Sequence, residues 1–227
     1  MTKKSIKSPV AKKAASPKSV KAAKGAFGKA VKKVKDTLKN LWASEATVKS
    51  ATVRVRRELT YWGLLFPGSR LDNVKVIHGG IWANIISLRG YVGFYQFGVQ
   101  EIHIPASYPA GLLPWNEDRR CMVDVLRHEF GHALADKYSQ FFHDERFKKA
   151  FGGTYGRVKV AKEGDKDNYV GDVDYARTFT QEDFCETFMF FLKHKGVLPR
   201  EFAWREAIRA KWEAVAAICS DIANLRK

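Results

Sequence analysis

Arg119–Asp136 reads RRCMVDVLRHEFGHALAD, and the reading of that stretch decides the fold. Met122, Val125, Leu126, Ala133 and Ala135 recur at the spacing of one helix face. Residues four apart lie on the same side of an α-helix, so His128 and His132 project together. Two imidazoles so placed can hold one Zn²⁺, and Glu129 between them can act on a water at that ion. A buried helix with two hydrogen-bonded histidines gives the same five-residue pattern. Segments further out must separate the two readings.

Downstream, Tyr175–His194 reads YARTFTQEDFCETFMFFLKH. Thr180 stands as an N-cap with Asp183 at the capping-box distance, and Phe184, Phe188, Phe191 and Leu192 form an apolar face. Glu182 and Glu186, four apart, put two carboxylates on one side of this second helix. Like charges at that spacing repel, so the pair asks for a cation beside it. A solvated acidic face is the plainer alternative. A catalytic zinc takes three protein ligands and keeps a fourth position open. Glu182, His143, Glu186 and His194 are the candidates for the third. The metzincin pattern needs glycine at 135 and histidine at 138, where this chain has Ala135 and Tyr138. His78, His103 and His194 read as structural.

Upstream, residues 45–66 predict a helix stopped by Pro67-Gly68-Ser69. Strand-like runs follow at 73–78, 81–88, 91–97 and 100–104. The last alternates Glu101, Ile102, His103, Ile104 before Pro105, the pattern of an edge strand. Such an edge can pair with an extended peptide substrate, which makes these four residues the expected substrate-binding strand. Asn116 is the expected N-cap of the His128 helix. Residues 141–151 predict a shorter helix, 152–173 a long surface loop, and 199–224 a last helix.

The chain has 227 residues and a net charge of +16, unevenly spread. Residues 1–40 carry thirteen lysines and one acid, a net +12, which leaves +4 for the rest. The basicity therefore belongs to a tail. Residues 1–24 are rich in Lys, Ala, Ser and Pro and bury too little apolar surface to fold. From Ala26 to Leu41, apolar residues at 3–4-residue spacing among lysines predict a basic amphipathic helix. Residues 1–44 thus read as a tail that can meet nucleic acid or another anionic surface, and 45–227 as the folded domain. Three cysteines at unrelated spacings suggest reduced thiols. With no secretory signal and no apolar run long enough to cross a membrane, the expected compartment is the cytoplasm.

His128-Glu129-Phe130-Gly131-His132, then Tyr175-x-Arg177-Thr178, then Glu182-x-Phe184-x-Glu186-x-Phe188, resembles the gluzincin metallopeptidases, in particular the catalytic domain of anthrax lethal factor and small bacterial zinc peptidases. The resemblance runs from about Asp72 to His194 and is strong only at the two helices. It implies a zincin-like α+β fold: a small mixed sheet with an edge strand beside the cleft, packed on the metal helix and followed by a mostly helical part. It implies Glu182 as third zinc ligand, Glu186 orienting a ligand histidine, and Tyr175 donating to the oxyanion. Glu129 would be general base, then general acid, in zinc-dependent peptide hydrolysis. His143-Asp144-Glu145-Arg146-Phe147 instead resembles the third-ligand segment of SprT-like, DNA-associated proteases, which the basic tail would suit. A catalytically silent, zinc-stabilised nucleic-acid-binding protein is the third reading.

Overall fold

The computed structural model describes residues 44–80, 83, 92–106, 121–159, 165–171 and 173–226. The chain divides into two units, Met1–Leu41 and Trp42–Lys227, and every described residue belongs to the second. The tail, its amphipathic helix, most of the 81–88 strand and the middle of the 152–173 loop fall outside the described residues. Asn116 also lies outside them, but it is not the N-cap expected: the His128 helix begins at Met122, with Cys121 in the N-cap position. Ala83, the one described residue of 81–88, has helical backbone and is buried, unlike the strand expected there.

The described part is α+β, with six helices and a three-stranded mixed sheet. Helix α1 (Glu45–Tyr61) begins where the Ser44 hydroxyl accepts the Thr47 N–H, and it buries Val48, Ala51, Val55 and Leu59. It stops a turn before Pro67. Gly63 takes φ +69°, and the N–H groups of Gly63 and Leu64 fold back onto the carbonyls of Thr60 and Leu59. The stop is a glycine C-cap rather than a proline block.

The strands are β1 (Lys75–His78), β2 (Phe94–Gln96) and β3 (Glu101–Ile104), in the order β1–β3–β2. β3 is parallel to β1 and antiparallel to β2, with Ile102 opposite both Val76 and Tyr95. Glu101–Ile104 is therefore the central strand, not the edge its alternation suggested. Of the polar members of the alternation, His103 is buried and Glu101 only partly exposed. The His103 ring stacks on Phe94 at 4.8 Å, and its Nε2 lies 3.2 Å from Glu101. Pro105 lies just beyond the last paired residue, so it removes no N–H from the ladder.

Helix α2 (Met122–Lys137) carries the histidines. Every residue from Asp124 to Ala135 is buried, so this is a helix enclosed on all sides. Its rotation is fixed by charge. Arg127 donates to Glu58 of α1 at 2.8 and 2.6 Å and to Asp124 at 2.5 Å. Lys193, at the end of the helix that carries Glu182, reaches Asp124 at 3.1 Å. Burial alone would raise the Asp124 carboxyl, but Lys193 and Arg127 outweigh it and hold it below the usual range.

Helix α3 (Glu145–Phe151) is the shorter helix expected, capped by Asp144 on the Phe147 N–H. A single turn, α4 (Val173–Ala176), precedes α5 (Thr180–Lys193). Thr180 is not the cap of α5. Its hydroxyl donates to Thr154 O and accepts the Arg157 N–H. Asp183 is not in a capping box either: it is fully buried between Lys159 and Lys211. The last helix, α6 (Glu206–Asn224), follows a 3-10 turn over Arg200–Phe202, later than the expected start at 199.

Rings of Phe142, Phe147, Phe151, Tyr155 and Phe184 pack edge to face and seat α5 on α3, with Phe142 and Phe184 4.7 Å apart. Gly131 lets α2 and α5 approach. A Cβ there would stand 3.0 Å from Cys185 Sγ and 3.3 Å from Cys185 Cα.

Candidate metal centre

His128 and His132, one turn apart on α2, have ring centroids 5.0 Å apart. Helix α5 crosses in front of them. Glu182 Oε2 lies 3.2 Å from His128 Nε2 and 3.5 Å from His132 Nε2. Two donors bound to one zinc at 2.0–2.1 Å and a tetrahedral angle stand about 3.3–3.4 Å apart. The 3.2 and 3.5 Å separations, which also suit direct ion pairs, therefore fit a shared ion. Glu182 Oε2 is buried, and among the described residues no donor is aligned on it as a hydrogen bond.

The rear nitrogens are also engaged. His128 Nδ1 lies 2.8 Å from Glu186 Oε1, at hydrogen-bond distance though not in ideal alignment. His132 Nδ1 lies 2.7 Å from the Tyr155 hydroxyl. With Nδ1 of each ring occupied, Nε2 of each is left to face Glu182. The Tyr155 hydroxyl in turn stands 3.8 Å from Cys185 Sγ. Tyr155 was not among the residues the sequence singled out. It lies in a Gly-rich loop with no periodic signal, and only packing brings it to His132.

Electrostatics point to a cation. Glu129, Glu182 and Glu186 are all buried here around two imidazoles. Burial would lower the His128 imidazole, yet Glu182 and Glu186 push it up to about 10. Burial likewise opposes ionisation of Glu182, but His128 and His132 hold its carboxyl far below the usual range. Carboxylates that favour a positive charge on the imidazole would favour a bound cation in the same place as well.

Glu129 points to the sheet side of the pair. Burial raises its carboxyl, the two histidines partly offset this, and it accepts the backbone N–H of Tyr95 in β2. Tyr95 itself donates from its hydroxyl to Asp136 at 2.7 Å, so β2 is tied to α2 at two levels. Gly93 makes room, since a Cβ there would meet Val125, Ile104 and Glu129. Tyr175, on α4, flanks the other histidine, its ring 6.0 Å from that of His128.

A second donor set shares the histidines. The ligating atoms of buried His128, His132 and Cys185 all lie within 4.8 Å of one another, a group that can hold a metal ion. Burial pushes the Cys185 thiol well above its ordinary range, which opposes the thiolate a metal needs. The remaining expectations fall elsewhere. His143 is exposed, with Nδ1 on Ser139 O at 2.8 Å, and is not brought to the pair. His103 belongs to the sheet, and His194 stacks on Phe190 at the end of α5. Glu101, Ile102, His103 and Ile104 use both backbone edges within the sheet, so the expected pairing with a substrate strand has no free edge there.

Gly171 offers a direct test of the rear shell. It sits at φ +72° over Glu186, and a Cβ there would fall 2.0 Å from Glu186 Oε2. Gly171→Ala is expected to displace that carboxylate and weaken zinc binding about 10–100-fold in a chelator competition. Unchanged affinity would mean that Glu186 does not orient His128.

No family model, curated protein or solved structure matches this chain.

Proposed function

We propose that this chain is a zinc-dependent endopeptidase of the gluzincin type, with His128, His132 and Glu182 as metal ligands. One observation carries the reading: Glu182 Oε2 faces both Nε2 atoms at the separations a shared tetrahedral ion requires, with buried Glu129 alongside. Glu182 is favoured over Cys185 because His128 and His132 hold its carboxyl far below the usual range despite burial, whereas burial pushes the Cys185 thiol up.

A zinc ion held by His128, His132 and Glu182 would supply Lewis acidity for the scissile carbonyl and a bound water of pKa ~7. Glu129 takes the proton of the attacking water and returns it to the leaving amine. Its raised carboxyl suits both halves of that exchange. Tyr175 stands beside His128 to donate to the developing oxyanion, worth about 3 kcal/mol for one well-placed donor. Glu186 and Tyr155 hold the two ligand rings.

The three cysteines are free thiols, with Cys121 exposed, which favours the cytoplasm. No described helix is long and apolar enough to cross a membrane. The +12 charge of residues 1–40 favours nucleic acid or another anionic surface as a second partner.

The test is metal removal on the full chain. Purified protein is expected to hold one zinc and to cleave peptides from a mixed library. Chelation abolishes cleavage, and added zinc restores it. Cleavage that persists in chelator, or protein indifferent to zinc, overturns the proposal.

A further inference from the structure

Strands β2 and β3 are joined by Phe97-Gly98-Val99-Gln100, a turn without a charged residue. Its shape is tightly set. Gly98 takes φ +80°, Gln100 takes the left-handed φ +65° that non-glycine residues rarely adopt, and the Gln100 N–H closes on Gln96 O at 3.2 Å. The result is that Phe97 and Val99 both stand out from the surface, each 52 % exposed. Phe97 is not loose. Its ring meets the edge of Tyr95 at 5.2 Å, and Tyr95 is anchored to Asp136.

The Phe97 ring also borders the candidate metal centre. Its centroid lies 6.4 Å from that of His132, edge on. Tyr175 flanks His128 at a comparable distance. The two histidines are therefore bordered by an aromatic apiece, exposed Phe97 on the hairpin tip and partly buried Tyr175 on α4. Tyr175 brings a hydroxyl; Phe97 offers only apolar surface. An extended peptide advances 3.2–3.4 Å per residue, so a ring this close to a ligand imidazole can meet only the substrate side chains nearest the reacting bond.

We propose that Phe97 is a specificity-determining residue that seats an apolar side chain of the peptide substrate next to the scissile bond. This rests on the peptidase reading above. The contact completes the burial of a ring that the domain leaves half in water, and a matched apolar side chain gains about tenfold or more from it. Serine in the same place leaves the ring wet.

The experiment uses full-length, zinc-loaded protein and peptide pairs that differ in one residue beside the cleaved bond, leucine or serine. The wild type is expected to favour the leucine peptide in kcat/KM by about tenfold or more. Phe97→Ala is expected to lose that preference by raising KM for the leucine peptide more than for the serine peptide, with zinc content retained. Phe97→Leu is expected to keep it. A preference unchanged in Phe97→Ala, or none in the wild type, overturns the proposal. If the wild type cleaves no peptide at all, the peptidase reading fails. Peptide binding then decides the present point: tighter binding of leucine peptides that depends on Phe97 upholds the contact, and equal binding overturns it.

Discussion

Glu129→Gln is expected to keep its zinc and lose peptide hydrolysis by about 10²–10⁴-fold. That loss corresponds to about 3–5 kcal/mol of transition-state stabilisation. The amide is isosteric with the carboxylate, so its fit beside Gly93 is unchanged, and its oxygen can still accept the Tyr95 N–H. What it cannot do is accept a proton from water. The carboxyl is also not one of the three groups whose donor atoms converge, since Glu182 Oε2 is the oxygen that faces both Nε2 atoms. Zinc titration and steady-state hydrolysis on the same preparation check both halves. A Gln variant that cleaves at the wild-type rate would remove Glu129 from the mechanism. One that has lost its zinc would make it a ligand.

Glu182→Ala is expected to weaken zinc binding by more than about 100-fold, beyond what loss of a residue behind the ligands costs. The substitution leaves two imidazoles and deletes the anion that balances the ion. Cys185→Ser is its control. If the shared ion lies between His128, His132 and Glu182, the serine variant keeps nearly wild-type affinity. If Cys185 is the third ligand, the two variants exchange outcomes. Cobalt substitution gives an independent readout, because only a thiolate ligand adds sulfur-to-metal charge-transfer absorption. Measuring both variants by chelator competition distinguishes an altered site from an unfolded chain, provided thermal unfolding is followed in parallel.

Much of this site was legible because it is local. The same-face placement of His128 and His132, and of Glu182 and Glu186, follows from the 3.6-residue period alone, and both helices formed where apolar periodicity put them. The strand 101–104 was misplaced for an equally physical reason. Alternation reports that a strand has two different faces. It does not report how many neighbours the strand has, and the His103 ring is held inside the sheet, stacked on Phe94 and beside Glu101. Thr180 and Asp183 had the spacing of a capping box, but Lys159 and Lys211, 24 and 28 residues from Asp183 in sequence, took the carboxylate instead. Tyr155 and Phe97 carried no pattern, because one lies in an aperiodic loop and the other in a turn.

The sequence by itself determined which side chains share a helix face, where the two principal helices run, and that the excess positive charge belongs to the first forty residues. Backbone geometry and composition act within a few residues, so they can be read without knowing the fold. Only the tertiary structure decided that one carboxylate of α5 meets both imidazoles of α2. That meeting depends on the close approach permitted at Gly131, on the rotation of α2 fixed by Arg127 against Glu58, and on Gly171 leaving room for Glu186. Each of these is a contact between segments distant in the chain, and its distance is set by everything packed between them.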